Sequence, residues 1–471
     1  DVTNNYQGLT KTPAQIQRLR DTLAARGGYD PGTYLDNPER IEAERIAARI
    51  DWSINDKHKL SVSYRYTKAD RYNTNTSSTT AIQFGNNGWL QPNRTHSVSA
   101  ELKSLVGKSG SNKFLLTYTN VSDDRGPIGN PYPRIIINDG TGTNNNNGLL
   151  IGPDPSANVN VLLQKNWSII DVYKVNIGKH VLSLGGEWEY NNIKNAFIQR
   201  TWGEYWYDNI DQFYLNQRPR QFRTAYSLLD GVASDATNAA AKFKIGKGAA
   251  FINDEYRVND NFSLNFGLRA DYYKWLSTPV TDQFTNDVAI PKFATLYDMQ
   301  GAQSGVAPKV PISVSPRLGF TYKIPEENIV VRGGMGLFTG RIPLVWPGGV
   351  YNNNGLFLGG FIANSSTNAA AWNNVRFRSN PYAQWTAAEL GIGLNKGGLN
   401  LISEKFRNPR IFRTSIGVDK KLGNGWTTTF EGLFSKNVSE VFYTNLNDQA
   451  PIATLTGPGV GPGRLLYNTS S

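Results

Sequence analysis

The stretch of sequence that decides the fold is Ala250-Phe-Ile-Asn-Asp-Glu-Tyr-Arg-Val-Asn-Asp-Asn-Phe-Ser-Leu-Asn-Phe-Gly-Leu-Arg-Ala-Asp-Tyr-Tyr273. Every second side chain from Phe262 to Tyr272 is apolar, and the positions between them are polar or glycine. This period of two is typical of a β-strand with one apolar face and one polar face. Only Asn259-Asp-Asn261 separates this run from the preceding one, so the two runs are predicted to form a hairpin. Each run reaches the length of about ten residues that a tilted strand needs to cross a bilayer.

The same unit recurs along the whole chain. Short turns join the two strands of each hairpin, whereas connections of about 20 to 70 residues join one hairpin to the next. Compact soluble domains seldom contain loops longer than about 15 residues, but outer-membrane barrels alternate short periplasmic turns with long extracellular loops. The sequence therefore predicts an all-β fold, an antiparallel transmembrane β-barrel with about 12 long strands in this chain. The six predicted hairpins are 44–54 with the run after His58, 94–106 with 113–122, 160–177 with 180–195, the pair within 241–275, 313–323 with 329–338, and 409–422 with 426–437.

Composition agrees with a barrel and excludes several kinds of site. The mean hydropathy of the 471 residues is −0.44 and no apolar run is long enough for a transmembrane helix, as expected when apolar and polar residues alternate. The absence of cysteine excludes disulfides and thiolate chemistry. A net charge of +11 suits anionic surfaces such as lipopolysaccharide, and the lack of a basic run argues against nucleic acid as a partner.

The sequence is expected to divide into three parts. Residues 1–43 are predicted to be an extracellular loop with a short helix, which begins at Thr12-Pro13 and stops at Gly27-Gly28. Residues 44–445 form the transmembrane barrel segment, and residues 446–471 form an extracellular loop or truncated tail. Within the barrel segment, the aromatic-rich residues 196–240 are predicted to contain a helix near 208–216 and a strand near 220–228. We expect the chain to be part of a longer one.

Several stretches together resemble the barrel of TonB-dependent outer-membrane receptors, in the Oar-like subgroup that bears a carboxypeptidase-regulatory-like domain. The matching stretches are Arg49–Tyr66, Phe251–Asp271, Ser315–Tyr322, Val331–Trp346 and Arg413–Asn447. The resemblance implies a barrel of about 22 strands with a plugged lumen in the outer membrane of a Gram-negative bacterium. It also implies coupling to the TonB–ExbB–ExbD system. The plug and the TonB box of the family have no counterpart in these residues, so this coupling rests on the resemblance alone.

Charged residues alternate into the predicted lumen, where opposed charges would anchor a plug through salt bridges. A catalytic carboxylate pair is the alternative interpretation, but no nucleophile–base arrangement accompanies these residues, so no enzymatic activity is expected. The three histidines are dispersed and share no metal-ligand spacing, so neither a metal site nor a cofactor is expected. The predicted lumen-facing residues are Arg49, Arg65, Glu187, Glu189, Glu255, Arg257, Arg269, Asp271, Arg332 and Glu431.

A second set of candidates lies in the long connections. Aromatic faces stack on sugars and on ring systems, and arginine pairs with acidic groups. The alternative is that these side chains pack the connections into a lid. The candidate ligand-binding residues are Trp202, Tyr205, Trp206, Tyr207, Arg341 and Trp346.

Three hypotheses of function follow. The first is a receptor or transporter that binds a nutrient at its extracellular loops and passes it through a plugged lumen. The second is a structural or accessory barrel in an outer-membrane assembly or adhesion system, with other outer-membrane proteins or a surface lipoprotein as partners. The third is a soluble secreted glycan-binding β-protein. Under the first two, outer-membrane lipid and lipopolysaccharide surround the barrel.

Overall fold

The computed structural model describes residues 12–35, 37–78, 80–138, 148–230, 237–367, 369–446, 453–454 and 465–466. Its first strands are β1 (Arg40–Asn55), β2 (His58–Asn73), β3 (Ala81–Gln83), β4 (Trp89–Val106), β5 (Gly110–Pro127), β6 (Arg134–Ile137), β7 (Gly148–Ile151), β8 (Val159–Ile177), β9 (His180–Ile198), β10 (Glu204–Tyr207) and β11 (Gln221–Ser227). The later strands are β12 (Ala241–Arg257), β13 (Phe262–Trp275), β14 (Ser313–Ile324), β15 (Ile329–Thr339), β16 (Leu358–Asn364), β17 (Asn395–Lys396), β18 (Arg410–Gly423), β19 (Trp426–Ser439), β20 (Ala453–Thr454) and β21 (Leu465–Leu466).

The helices are short and lie outside the long strands. None of those in the described residues combines the length and the apolar character that crossing a membrane would require. Single turns of 3-10 helix occur at Gly85–Asn87, Pro155–Ala157 and Thr237–Ala239, and a π-helical turn occurs at Thr285–Ala289. The α-helices are α1 (Pro13–Ala25), α2 (Ile210–Tyr214), α3 (Ile290–Phe293), α4 (Val345–Asn352) and α5 (Ala369–Trp372).

Twelve long strands form one antiparallel sheet, which we call the wall sheet. Its order is β1-β2-β4-β5-β8-β9-β12-β13-β14-β15-β18-β19. Each strand therefore pairs with the long strands that precede and follow it in the sequence. The strands have 11 to 19 residues, enough to cross a bilayer at a tilt. Six short turns join the hairpins at one end of the sheet, and all the long connections lie at the other end. The twelve predicted strands and their pairing are therefore confirmed.

The register of the wall sheet separates two faces of opposite character. Residues that face one another in neighbouring strands point to the same side, so a register row crosses one face of the sheet. One row crosses the apolar face through Ile50, Val62, Ala100, Leu116, Ile169, Trp188, Gly248 and Tyr272. The adjacent row crosses the polar face through Arg49, Ser63, Ser99, Thr117, Ser168, Glu189, Lys247 and Tyr273.

Exposure of the apolar face fits contact with lipid. Ile50, Trp188 and Leu268 expose 72%, 46% and 48% of their surface, although the aqueous surface of a soluble protein rarely carries a continuous apolar face of this extent. On the polar face Asp271, three residues from Leu268, is only 4% exposed. Phe266 and Leu268 thus lie opposite Arg269 and Asp271, as the alternation predicts.

The long connections build a second sheet, which we call the cap sheet. Its seven strands run in the order β17-β16-β11-β10-β6-β7-β3 and include two parallel pairs, β10 with β6 and β3 with β7. Its core contains Ile135 and Ile137 of β6, the tyrosines of β10 and Phe222 of β11. Helix α1 packs Ile16, Leu19 and Leu23 into the same core. The sequence did not predict this sheet, because its central strands β6, β7 and β10 are buried on both faces and so do not alternate.

Local predictions in the connections are mostly confirmed. Thr12 caps α1 through a capping box with Gln15, and Gly28 beyond the helix has a φ of +64°. The helix near 208–216 is α2, and the strand near 220–228 is β11. Register places Tyr273 and Trp275 on the polar face, where Trp275 packs near Phe243. Most of the tail 446–471 lies outside the described residues.

One glycine of the wall sheet is required by a close side-chain contact. Gly185 faces Phe251 across the β9–β12 pair, and an added Cβ would overlap the Phe251 ring at Cζ. The next residue, Gly186, has room, since its nearest neighbour would be the Ala249 carbonyl oxygen at 3.8 Å.

We therefore expect Gly185→Ala to lower the free energy of unfolding by about 1–3 kcal/mol through overpacking. Gly186→Ala is the matched control and should change it by less than about 1 kcal/mol. Urea unfolding in lipid vesicles measures both. Equal destabilisation of the two variants would contradict the packing argument.

Candidate functional site

The centre of the polar face carries a cluster of four charged residues. Glu187 accepts hydrogen bonds from Lys247 Nζ at 2.8 Å and from Arg269 Nη2 at 2.6 Å. The same guanidinium binds Asp271, with Nη2 to Oδ1 at 2.9 Å and Nε to both oxygens at 3.1 Å. Register brings the four together, since β9, β12 and β13 are consecutive strands of the wall. Two carboxylates thus share two cations, and the cluster is nearly neutral and largely buried.

A second charged group ties a long connection to the wall. Arg341, two residues beyond β15, forms a bidentate pair with Glu189 of β9 at 2.8 and 2.6 Å. Asn191 and Asn166 donate to Glu189 Oε1 at 2.8 and 3.1 Å. Glu189 is only 6% exposed, so its charge depends on these partners. A neighbouring cavity of about 20 Å³, lined by Tyr273 and Asn408 among others, has room for about one water.

These contacts leave one cation available for a further partner. The side chain of Arg341 is 49% exposed even while it binds Glu189. A guanidinium has five N–H donors, and the bidentate pair occupies only two nitrogens. The polar face can therefore offer Arg341 to an anionic group at the point where the connection meets the wall.

The other lumen-facing candidates form separate, more exposed pairs. Arg332 binds Asp419 at 3.0 Å and Glu431 at 3.3 Å near the short-turn end of β15. Arg49 binds Asp51 at 2.7 Å, and Glu255 lies 3.8 Å from Arg257. Arg65 is exposed and has no ion pair among the described residues. The structure thus joins Glu187, Arg269 and Asp271 in one cluster and Arg332 with Glu431 in another, and leaves Arg49 and Arg65 apart.

A large cleft lies among the long connections and α3 and α4. It has a volume of about 730 Å³ and is lined mainly by apolar side chains, including Phe293, Val350 and Phe406. The candidate Trp346 lines this cleft and packs edge-on against Tyr443, with the two ring centroids 5.6 Å apart. Asn400 and Ser403 add hydrogen-bonding groups. A cleft of this size and character suits a ligand with an aromatic or aliphatic body.

The other aromatic candidates lie in and around the cap sheet. Tyr205 and Tyr207 are fully buried, and Trp202 and Trp206 are 7% and 2% exposed. Burial raises the pKa of the Tyr205 and Tyr207 phenols, which therefore stay protonated. This packing corresponds to the lid that was the alternative interpretation of these residues. Contact between a ligand and these four rings would require the cap to open, and stays a prediction.

Sequence reasoning missed several members of the polar clusters. Along β12, Lys247 points to the same side as Ala249, and along β9, Asn191 points to the same side as Glu189. Alternation alone therefore assigns both residues to the polar face. Asn166 and Asp419 carry the same signal on β8 and β18. No local signal pairs Arg341 with Glu189, because 152 positions separate them.

Loss of the Arg341 contact should loosen the long connection without unfolding the wall. Arg341→Gln removes one bidentate charged pair, so we expect backbone amides of Val345–Asn352 to exchange hydrogen about tenfold faster, as a loss of about 1.4 kcal/mol implies. Hydrogen–deuterium exchange measured by mass spectrometry tests this. Arg378→Gln, which breaks an exposed pair with Glu389 in the same connection, is the control and should leave α4 unchanged. Unchanged exchange in Arg341→Gln would show that α4 is held by packing alone.

Comparison with known proteins identifies a family that matches this chain. Residues 9–471 match the family described as outer membrane beta barrel domain. No curated protein matches the sequence. Among solved structures, the siderophore receptor PirA from Pseudomonas aeruginosa is similar at 10% identity and a TM-score of 0.44, over 91% of this chain and 50% of that one. The outer membrane transporter YddB from Escherichia coli has 12% identity and a TM-score of 0.48, over 82% and 39% of the two chains.

A third similar structure is the FrpB iron transporter from Neisseria meningitidis, at 10% identity and a TM-score of 0.48. The similarity extends over 84% of this chain and 46% of that one. The chain therefore spans half or less of the length of the solved structures it matches here.

Proposed function

Because the chain belongs to the outer membrane beta barrel family, and so lies in the outer membrane of a Gram-negative bacterium, we propose that it forms part of the barrel of a TonB-dependent receptor. We assign it to the Oar-like subgroup on the stretches that carry the resemblance, such as Phe251–Asp271. The outer-membrane location argues against a soluble secreted glycan-binding protein. The receptor would bind a nutrient at its long connections and pass it inward through a plugged lumen.

The observation that carries this proposal is the charged polar face of the wall sheet. A lumen open to water needs only solvated side chains, yet Glu189 and Asp271 are 6% and 4% exposed. Glu189 binds Arg341 of a long connection, and Asp271 binds Arg269 of its own strand. Exposed charges at Arg49, Arg332 and Glu431 extend the same face and remain accessible to a second protein surface. Such a face suits docking of a folded plug through ion pairs and hydrogen bonds.

The topology supports the proposal that further strands complete the barrel. The outer edges of the wall sheet are β1 and β19, and every residue of β1 is exposed. A strand edge in hydrocarbon leaves N–H and C=O groups unpaired, at a cost of several kcal/mol each. We therefore propose that strands from elsewhere in a longer protein pair with both edges. Residues 44–445 would then be one segment of the barrel, with residues 1–43 and 446–471 in extracellular connections.

Orientation follows from the lengths of the connections. Outer-membrane barrels have short periplasmic turns and long extracellular loops. We propose that turns such as Asn259–Asn261 face the periplasm and that the cap sheet and the cleft beside Trp346 face the exterior. The ligand would enter through this cleft, and Arg341 would contact any anionic group that it carries.

Energy coupling is the part of the proposal that separates it from a structural barrel. We expect the full gene product, purified from outer membranes, to bind the periplasmic domain of TonB and to conduct almost no ions in a planar bilayer. Denaturation of the plug by urea at concentrations that leave the barrel folded should open a conducting lumen. A large steady conductance without urea, or failure to bind TonB, would favour the accessory barrel of an outer-membrane assembly.

A further inference from the structure

Five lysines form a patch on the apolar face of the wall sheet, at the long-connection ends of four neighbouring strands. Register fixes their arrangement in rows. Lys194 faces Lys242, and in the next row toward the sheet centre Lys165 and Lys244 flank Asn192. The third row contains Trp167, Tyr190, Gly246 and Lys274. We call Lys165, Lys194, Lys242, Lys244 and Lys274 the lysine patch.

The patch carries more positive charge than nearby carboxylates of the described protein neutralise. None of its five ammonium groups has a carboxylate within 4 Å among the described residues. Lys165, Lys242, Lys244 and Lys274 are exposed, and Lys194 is half-buried. The nearest carboxylate on this face is Asp124, in the row beyond Leu163, which interacts electrostatically with Lys194. Asp230 of a long connection interacts in the same way with Lys242. The surface therefore has a strong excess of positive charge.

The position of the patch places it beside lipid headgroups. Its three rows lie directly beyond the row of Ile169, Trp188, Gly248 and Tyr272 on the same face, whose side chains belong to the membrane-facing band. Rows on one face are two residues apart, or about 7 Å, so the patch spans a band of about 14 Å. Tryptophan and tyrosine mark the level where hydrocarbon gives way to headgroups. Lysines at and just beyond this level point into the headgroup layer.

A shallow groove in the band of aromatic side chains continues the patch toward the membrane centre. Gly248 lies between Trp188 and Tyr272 in one row, and Gly246 lies between Tyr190 and Lys274 in the next. A Cβ added to Gly248 would meet no atom within 4 Å, so this part of the face is open. The Trp188 and Tyr190 rings are nearly parallel, at 10°, and form one side of the groove. An extended acyl chain fits a groove of this kind, with its headgroup at the lysines.

We propose that the lysine patch and the glycine groove bind one phosphate-bearing glycolipid of the outer leaflet, lipopolysaccharide, with its phosphates on the lysines and an acyl chain along Gly246 and Gly248. Ammonium groups bind phosphate as point charges and tolerate its varied geometry. The inference rests on the proposed orientation, in which the long connections face the exterior. It does not depend on transport or on TonB.

The test is lipid binding by the full gene product purified in detergent from outer membranes. Lys165→Gln, Lys244→Gln and Lys274→Gln are combined in one variant, and bound lipopolysaccharide is measured by native mass spectrometry and by titration. About 1 kcal/mol for each lysine near an anionic headgroup predicts an affinity lower by a factor on the order of 100. Lipopolysaccharide whose lipid phosphates have been removed should bind the unmodified protein as weakly as the intact lipid binds the variant.

The matched control combines Lys57→Gln, Lys108→Gln and Lys323→Gln, three exposed lysines at the short-turn end of the wall sheet. It removes the same charge and should retain affinity within about twofold. Equal loss in both variants, or equal binding of intact and dephosphorylated lipid, would overturn the proposal. Loss in the control alone would overturn both the proposal and the orientation. If the patch variant does not fold, the dephosphorylated lipid on the unmodified protein decides the question.

Discussion

An Arg269→Met variant is expected to lose roughly 3–5 kcal/mol of its free energy of unfolding. Arg269 lies between Glu187 and Asp271 and binds both, at 2.6 and 2.9 Å. Methionine keeps much of the volume but removes the charge, so Asp271, 4% exposed, loses its ion-pair partner. Lys247 remains on Glu187 alone. Breaking a buried pair is costly because the group left behind has neither water nor a counterion.

Urea unfolding in lipid vesicles, followed by tryptophan fluorescence, measures the loss. Arg257→Met is the matched control, since it removes an arginine of the same hairpin whose contact with Glu255 is 3.8 Å and exposed. An exposed pair contributes about 0–1 kcal/mol, so the control should be nearly neutral. Adding Asp271→Asn to Arg269→Met should restore part of the stability, because it removes the unpaired charge and leaves the Glu187–Lys247 pair intact. Equal effects of the two arginine variants would show that the cluster is solvated.

The wall sheet was predictable because each of its strands carries its own signal. Alternation from Phe262 to Tyr272 places Leu268 and Arg269 on opposite faces without reference to any other strand. Asn259 then ends the preceding run and accepts the Phe262 amide at 2.9 Å, which sets the turn. A local period and a local turn are enough to specify a hairpin, and neighbouring hairpins pair in sequence order.

The cap sheet was not predictable in the same way. Arg134-Ile-Ile-Ile137 and Gly148-Leu-Leu-Ile151 are short apolar runs without alternation, because protein covers both of their faces. The parallel pairing of β10 with β6 joins segments that lie about 70 positions apart. Trp206 showed the same ambiguity: an aromatic residue in an irregular run can bind a ligand or fill a core, and here it packs against Ile136.

The polar clusters lie between these two cases. Parity identifies which charges share the polar face, and so groups Glu187, Arg269 and Asp271 correctly. It cannot say which of them meet, since that depends on the register between strands. Nor can it bring Arg341 to Glu189, because the long connection must first fold back over the wall. Faces are therefore read from sequence, whereas contacts between connections and faces require the structure.

The second large effect is expected on the opposite face of the same strand. Leu268→Arg should lower the free energy of unfolding in a bilayer by about 2–4 kcal/mol, the cost of arginine near the membrane midplane on the lipid face of a barrel. Leu268 is 48% exposed and lies near the middle of β13. The protein itself tolerates a cation on this face at Lys274, near the end of the strand, because a lysine there reaches the headgroups.

Asn265→Arg provides the control, because it adds the same side chain three residues away on the polar face, where the change should cost less than about 1 kcal/mol. Both variants are unfolded with urea in vesicles of defined thickness. The penalty at Leu268 should grow in thicker bilayers, since the guanidinium then lies further from water, while the effect at Asn265 should not change. A neutral Leu268→Arg would show that the apolar face of the wall does not face lipid, and the lysine patch on that face would then lie in water rather than beside phosphates.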